Sequence, residues 1–163
     1  MAFELHVQAV PWRSRVRDLV EADAIIPVVK GNGYGFGLAV LAEECERLRT
    51  EPRLDVTDLV DLVAVGTYAD VAPVRSRYAG DLLVLEPFRA VLAGPAGRAG
   101  LAEQQQHDGL AAQQEHDVLA DPRIIHTVTN HDDLVDLARR VPRVRVAVEG
   151  LTAMFRFGAA PGD

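Results

Sequence analysis

A single cysteine, Cys45, is the only thiol in this 163-residue chain. One thiol excludes an internal disulfide and a cysteine-rich metal site, agrees with a reducing compartment, and reads as a small buried apolar side chain. Long apolar runs are missing too. No stretch of about 18 apolar residues occurs, the length a membrane span needs, and the start Met-Ala-Phe-Glu-Leu-His has no basic region followed by an apolar one. These absences predict a cytoplasmic protein with no membrane partner. Blocks of Lys or Arg are also absent, and 17 basic residues against 24 acidic ones leave a formal net charge of −7. Nucleic acid is therefore not expected as a partner, because its sequence-independent binding comes mainly from basic side chains on phosphates.

What is present is a core-forming composition, with 48% of residues apolar. The length suits one domain and falls short of the roughly 250 residues of a complete (β/α)₈ barrel. Trp12, Val16, Leu19 and Val20 recur with helical spacing behind Pro11, and a short β-branched run follows at 25–30. That run is continuous enough for a buried strand, with Pro27 as the objection to a central position. Leu38, Leu41, Ala42, Cys45 and Leu48 then mark a helix over 38–49 that stops at Thr50-Glu51-Pro52.

The same grammar repeats. Strands are predicted at 62–67, 81–85, 124–128 and 144–149, with a poor helix containing Pro73 at 69–78. Asn130 caps a helix over 131–140 whose inward stripe is Leu134, Leu137, Ala138 and Val141, with Asp133 at its third position. Strands alternating with helices predict about five parallel strands covered by helices, an α/β fold.

A low-complexity insertion at about 91–120 interrupts this rhythm. Within it, residues 101–118 hold two tandem nine-residue units, each ending near a His-Asp pair at His107 and His116. Nine residues make about 2.5 helical turns, so Leu101 and Leu110 fall on opposite faces and build no single stripe. The segment reads as exposed, its two histidines as solvated side chains, and no metal site is expected.

The chemistry-bearing stretch is Val28-Val29-Lys30-Gly31-Asn32-Gly33-Tyr34-Gly35-Phe36-Gly37, a lysine ending a strand before a glycine-rich loop that opens a helix. Ligands of α/β folds bind beyond the carboxyl ends of the strands, where this lysine stands. Apolar surroundings at Val28 and Val29 would favour a neutral amine able to attack a carbonyl, which is Schiff-base chemistry. The glycines let backbone N–H groups approach a phosphate at the helix start, and the Tyr34 hydroxyl can reach the same group. A nucleotide loop is excluded by spacing, since G-x-G-x-x-G needs glycine where Phe36, Leu38 or Val40 stand. The other reading of Lys30 is an ordinary surface charge.

This stretch resembles the pyridoxal-phosphate lysine motif of alanine racemases, V-V-K-A-N-A-Y-G-H-G, with both alanines replaced by glycine and the histidine by Phe36. Glu149-Gly150-Leu151-Thr152-Ala153-Met154-Phe155-Arg156-Phe157-Gly158 is similar, without gaps, to the family's K-V-D-T-G-M-x-R-x-G segment. The resemblance covers about residues 3–160 apart from the duplicated insertion. It implies a fold-type III enzyme, a (β/α)₈ TIM-like barrel with a following β-rich domain, acting as a homodimer on a small amino acid such as alanine. By that resemblance Lys30 holds pyridoxal 5'-phosphate and exchanges the α-proton on one face, Tyr34 contacts the cofactor phosphate, and Arg156 sits near the substrate carboxylate.

Several positions depart from the family pattern. Glu149 replaces a lysine that often carries a negative carbamate; a carboxylate there would supply the charge directly and anchor Arg156, or else serve as an ordinary solvated acid. Leu151 and Ala153 replace Asp and Gly. The chain stops at Asp163, so the expectation is a partial barrel without its last strands, without the arginine facing the pyridine nitrogen, and without the β domain bearing a second catalytic tyrosine. Tyr68 and Tyr78 match no family base. The 163-residue chain alone is expected to be at most weakly active as an amino-acid racemase. The alternatives are a non-catalytic cofactor-binding protein of the same barrel superfamily and an inactive remnant domain.

Overall fold

The computed structural model describes residues 6–22, 25–51, 61–89, 117–150 and 158–159. It is an α/β fold with five strands in the order β1-β2-β3-β4-β5 of one parallel sheet, alternating with helices. By internal contacts the chain divides into two compact units, 1–82 and 83–163.

In the first unit, helix α1 (Ala9–Ala22) leads to the two-residue strand β1 (Val28–Val29). β1 pairs in parallel with β2 (Leu62–Val65), placing Val28 opposite Ala64 and Val29 opposite Val65. The strand is shorter than the 25–30 run suggested. Pro27 lacks an N–H for a ladder but still accepts from Ala64 through its carbonyl at 2.8 Å, and β1 stands at the end of the strand order, where a missing donor costs least.

Helix α2 (Leu38–Thr50) buries Ala42, Glu44, Cys45 and Leu48, with Leu38 and Leu41 half-buried, so the inward face is the one its spacing predicts. Val20 of α1 packs on Leu48, with Val16 and Ile25 against them. Leu19 departs from the expected stripe, since it points outward with 61% of its surface exposed. The adjacent Val20 already takes the inward direction. Ion pairs run between α1 and α2, with Arg13 on Glu44 and Arg17 on Glu51 at 2.7 Å, while Arg47 bridges Glu44 at 2.8 Å and Glu51 at 2.7 Å.

After β2, a 3₁₀ turn (Tyr68–Asp70) feeds the short helix α3 (Val71–Arg75), which buries Val71 and Val74. The 69–78 segment is thus helical only in part. Pro73 sits in the first turn of α3, where no intrahelical N–H is needed. Tyr78 is buried beside Gly80, and strand β3 (Asp81–Pro87) begins with the Asp81 N–H donating to the Asp61 carbonyl at 2.7 Å.

In the second unit, β4 (Ile124–Val128) buries Ile124, His126, Thr127 and Val128. The Thr127 hydroxyl donates to the Val84 carbonyl at 2.6 Å, and the Phe88 N–H donates to the Thr127 carbonyl at 2.8 Å. Helix α4 (His131–Arg140) starts at the expected cap, with the Asn130 side-chain oxygen accepting from the Asp133 N–H at 2.8 Å. Leu137 is fully buried and Val141 nearly so, whereas Ala138 is exposed, contrary to the stripe that included it. Strand β5 (Arg145–Val148) pairs in parallel with β4 over Ile125 to Val128. Residues 91–116 of the insertion, His107 and His116 among them, lie outside the described residues, and 117–120 are helical. Among the described residues no helix is long and apolar enough to cross a membrane.

Candidate functional site

β1 ends at Val29, so Lys30 is the first residue past the strand and keeps an extended backbone, φ −146° and ψ 169°. The chain then reverses its handedness. Gly31, Asn32, Gly33 and Tyr34 all have positive φ, at 56°, 51°, 63° and 51°. Consecutive left-handed residues are rare because an L side chain crowds the following carbonyl at a cost of about 1–2 kcal/mol per residue. Glycine at 31 and 33 removes that cost at two of the four positions, and asparagine tolerates the region. Tyr34 has no such excuse and is held under strain.

Three backbone hydrogen bonds fix the loop. Gly33 N–H donates to the Lys30 carbonyl at 2.9 Å, Phe36 N–H to that of Gly33 at 3.1 Å, and Gly37 N–H to that of Asn32 at 2.9 Å. Phe36 stacks on Trp12 of α1. Gly33 is buried, and a Cβ on it would meet Leu41 Cδ1 of α2 at 2.7 Å. The loop is therefore pinned from both helices while its tip faces solvent.

The Tyr34 side chain is 80% exposed, and its ring lies over Gly31. Lys30 is exposed, and its ammonium takes no hydrogen bond or ion pair among the described residues. Val28 is half exposed, so among the described residues the expected apolar enclosure around the amine is not formed. The reason is the sheet position: β1 is the terminal strand of the order, and only Val29 of its two residues turns into the core. What β2 contributes lies at its own carboxyl end. A Cβ on Gly66 would stand 2.9 Å from Lys30 Cβ and 3.0 Å from Asp70 Oδ2. That same Asp70 oxygen accepts from the Thr67 N–H at 3.0 Å and from its hydroxyl at 3.2 Å, closing a capping box.

Lys30 stands immediately before the left-handed turn and Tyr34 is the last of its four residues. Arg156 lies outside the described residues, as do Leu151 and Ala153. Glu149 follows β5, half-buried, with its N–H donating to the Val128 carbonyl at 2.9 Å and its carbonyl accepting from Ala159. Among the described residues no cluster of three or more His, Cys, Asp or Glu is placed to hold a metal. Sequence reasoning passed over Gly66 and Asp70. It also passed over a compositional signal: Lys30 is the only lysine among the 17 basic residues. The chain has one side-chain amine, and it stands at a strand end. No family model, characterised protein or solved structure matches the chain.

The arrangement offers an exposed primary amine four residues before a tyrosine whose backbone is left-handed and whose side chain is exposed, ahead of α2. An arginine could carry the same charge at Lys30 but could not act as a nucleophile near neutral pH, because its guanidinium does not lose its proton there. Lys30 has the group that bonds an aldehyde carbon, and Tyr34 presents its hydroxyl to solvent on the same loop.

Proposed function

We propose that this chain is the N-terminal portion of a pyridoxal-phosphate-dependent amino-acid racemase acting on alanine or a similar small amino acid. Its five βα-ordered strands would then be the first part of a (β/α)₈ barrel, paired as a homodimer with a second copy. The observation that carries the reading is the placement of the only lysine, exposed at the end of β1 against a loop of four left-handed residues.

In this reading the Lys30 amine would hold the cofactor through its aldehyde, and the Tyr34 hydroxyl would serve its phosphate. The bound cofactor supplies a ring that withdraws electrons from the substrate α-carbon. Freed when the substrate's own amine takes its place, Lys30 would take and return the α-proton on one face. Arg156 would bind the substrate carboxylate, with Glu149 holding its guanidinium by a charge-assisted hydrogen bond.

Mixing the protein with pyridoxal phosphate, reducing with borohydride and mapping the peptides tests the attachment. The expected result is one adduct on Lys30 that Lys30→Arg abolishes. An adduct only on the α-amine, or none, would sink the reading. Exchange of the alanine α-proton for deuterium in heavy water then separates a racemase from a protein that binds the cofactor without using it.

A further inference from the structure

We propose that Asp70 is a positioning residue for the Lys30 amine, the two groups sharing the space that the absent side chain of Gly66 leaves open at the ends of β1 and β2. Gly66 does not have the left-handed backbone that demands glycine elsewhere in this unit. Its neighbours demand it instead, since Lys30 Cβ and Asp70 Oδ2 both lie within 3.0 Å of the point a Cβ would occupy.

The carboxylate is fixed. Oδ2 accepts from Thr67 N–H and Thr67 Oγ1, and the Asp70 N–H donates back to the Thr67 carbonyl at 3.1 Å. Oδ1 carries no hydrogen bond among the described residues, and neither does the Lys30 ammonium. Lysine carries its charge on a flexible four-carbon stem with three rotatable donors, so rotation about its own bonds brings Nζ from that Cβ to Oδ1. The result is a charge-assisted hydrogen bond between an anchored acceptor and a mobile donor.

A pair this open to water adds little to folding stability. Its effect is on direction: it confines the amine to the carboxyl end of β2, where a carbonyl compound arriving over the strand ends must meet it. The purpose assigned to the contact rests on Lys30 being the cofactor lysine, whereas the contact itself is tested without any cofactor.

Carbodiimide coupling reads it directly. The reagent activates a carboxylate, an adjacent amine displaces the resulting urea, and an amide forms with net loss of one water. With only one lysine, every lysine-to-acid amide names the carboxylate beside Lys30. The expected product in the native chain joins Lys30 to Asp70, retained in Asp70→Glu at the same position and lost in Asp70→Asn, which keeps an oxygen for the Thr67 cap. Coupling of Lys30 to a different carboxylate, or no coupling in either the native chain or Asp70→Glu, overturns the proposal. A Lys30 to Asp70 amide in a protein that takes no pyridoxal phosphate would leave this contact standing and sink the cofactor reading alone.

Discussion

Trp12 lies stacked on Phe36, with ring centroids 5.7 Å apart and 25° between the planes, so the first helix is clamped to the glycine loop by one aromatic pair. Trp12 is the only tryptophan. Its emission therefore reports the loop that carries Lys30 and Tyr34. Replacing Phe36 by Ala should red-shift that emission and weaken folding by about 1–2 kcal/mol, the worth of a partly buried aromatic contact. Urea unfolding followed by tryptophan fluorescence measures both. An unchanged spectrum and midpoint would show that the stack does not hold the loop.

Two glycines of the loop should respond differently to alanine. Gly31 and Gly33 share the left-handed conformation, at φ 56° and 63°, so each alanine carries backbone strain of about 1 kcal/mol. At Gly31 the nearest atoms to a new Cβ are Tyr34 ring carbons at 3.8 Å, an ordinary contact, whereas at Gly33 Leu41 Cδ1 is only 2.7 Å away. Gly33→Ala should therefore lose roughly 1–2 kcal/mol more than Gly31→Ala, and adding Leu41→Ala should recover part of that difference by giving the methyl room. A double-mutant cycle in urea tests this, and strictly additive losses would contradict the contact.

The alternation of strands and helices was legible in the sequence because each element has a one-sided or continuous apolar pattern, as at 38–49 and 124–128. Caps were legible where side chain and spacing agree, as for Asn130 and Asp133. The departures come from neighbours that a one-dimensional pattern does not see. Leu19 and Ala138 have the right spacing but border residues that already fill the inward direction, Val20 and Leu137. β1 contracts to Val28 and Val29 because Pro27 has no N–H to give the ladder and β2 ends at Val65, opposite Val29. At the site, the Lys30 to Tyr34 segment was readable as one loop. The closeness of Lys30 to Gly66 and Asp70 was not, because it arises from pairing between strands more than thirty positions apart.

Cys45 should behave as an inert thiol in the native protein. Burial on α2 pushes its ionisation up to about 12, and the neighbouring Glu44 charge adds to the effect. The nucleophilic thiolate is then scarce at pH 8, and the sulfur is covered as well. An aromatic disulfide reagent should release almost no colour on mixing with native protein and one equivalent per chain in denaturant. The slow native rate should rise in Gly33→Ala, because labelling waits for an opening that the variant makes easier. Immediate stoichiometric reaction of the native chain would mean that α2 does not cover Cys45.

The last expectation concerns acid. His126 is fully buried on β4, and burial lowers its ionisation from the usual 6.5, with a hydrogen bond to the Leu119 backbone opposing only part of that effect. The unfolded chain therefore takes up a proton on this ring as pH falls through 6.5, while the folded chain resists until a lower pH. Between those two points the unfolded state binds more protons, so stability contributed by the neutral ring is present above about 6.5 and is lost on acidification. Thermal midpoints from pH 7.5 down to 5 should fall more steeply for the native chain than for His126→Gln, which keeps an N–H donor for the Leu119 carbonyl but does not titrate. Each variant is compared with itself across pH, so any constant loss from the substitution cancels. Parallel slopes would mean that His126 does not couple folding to pH.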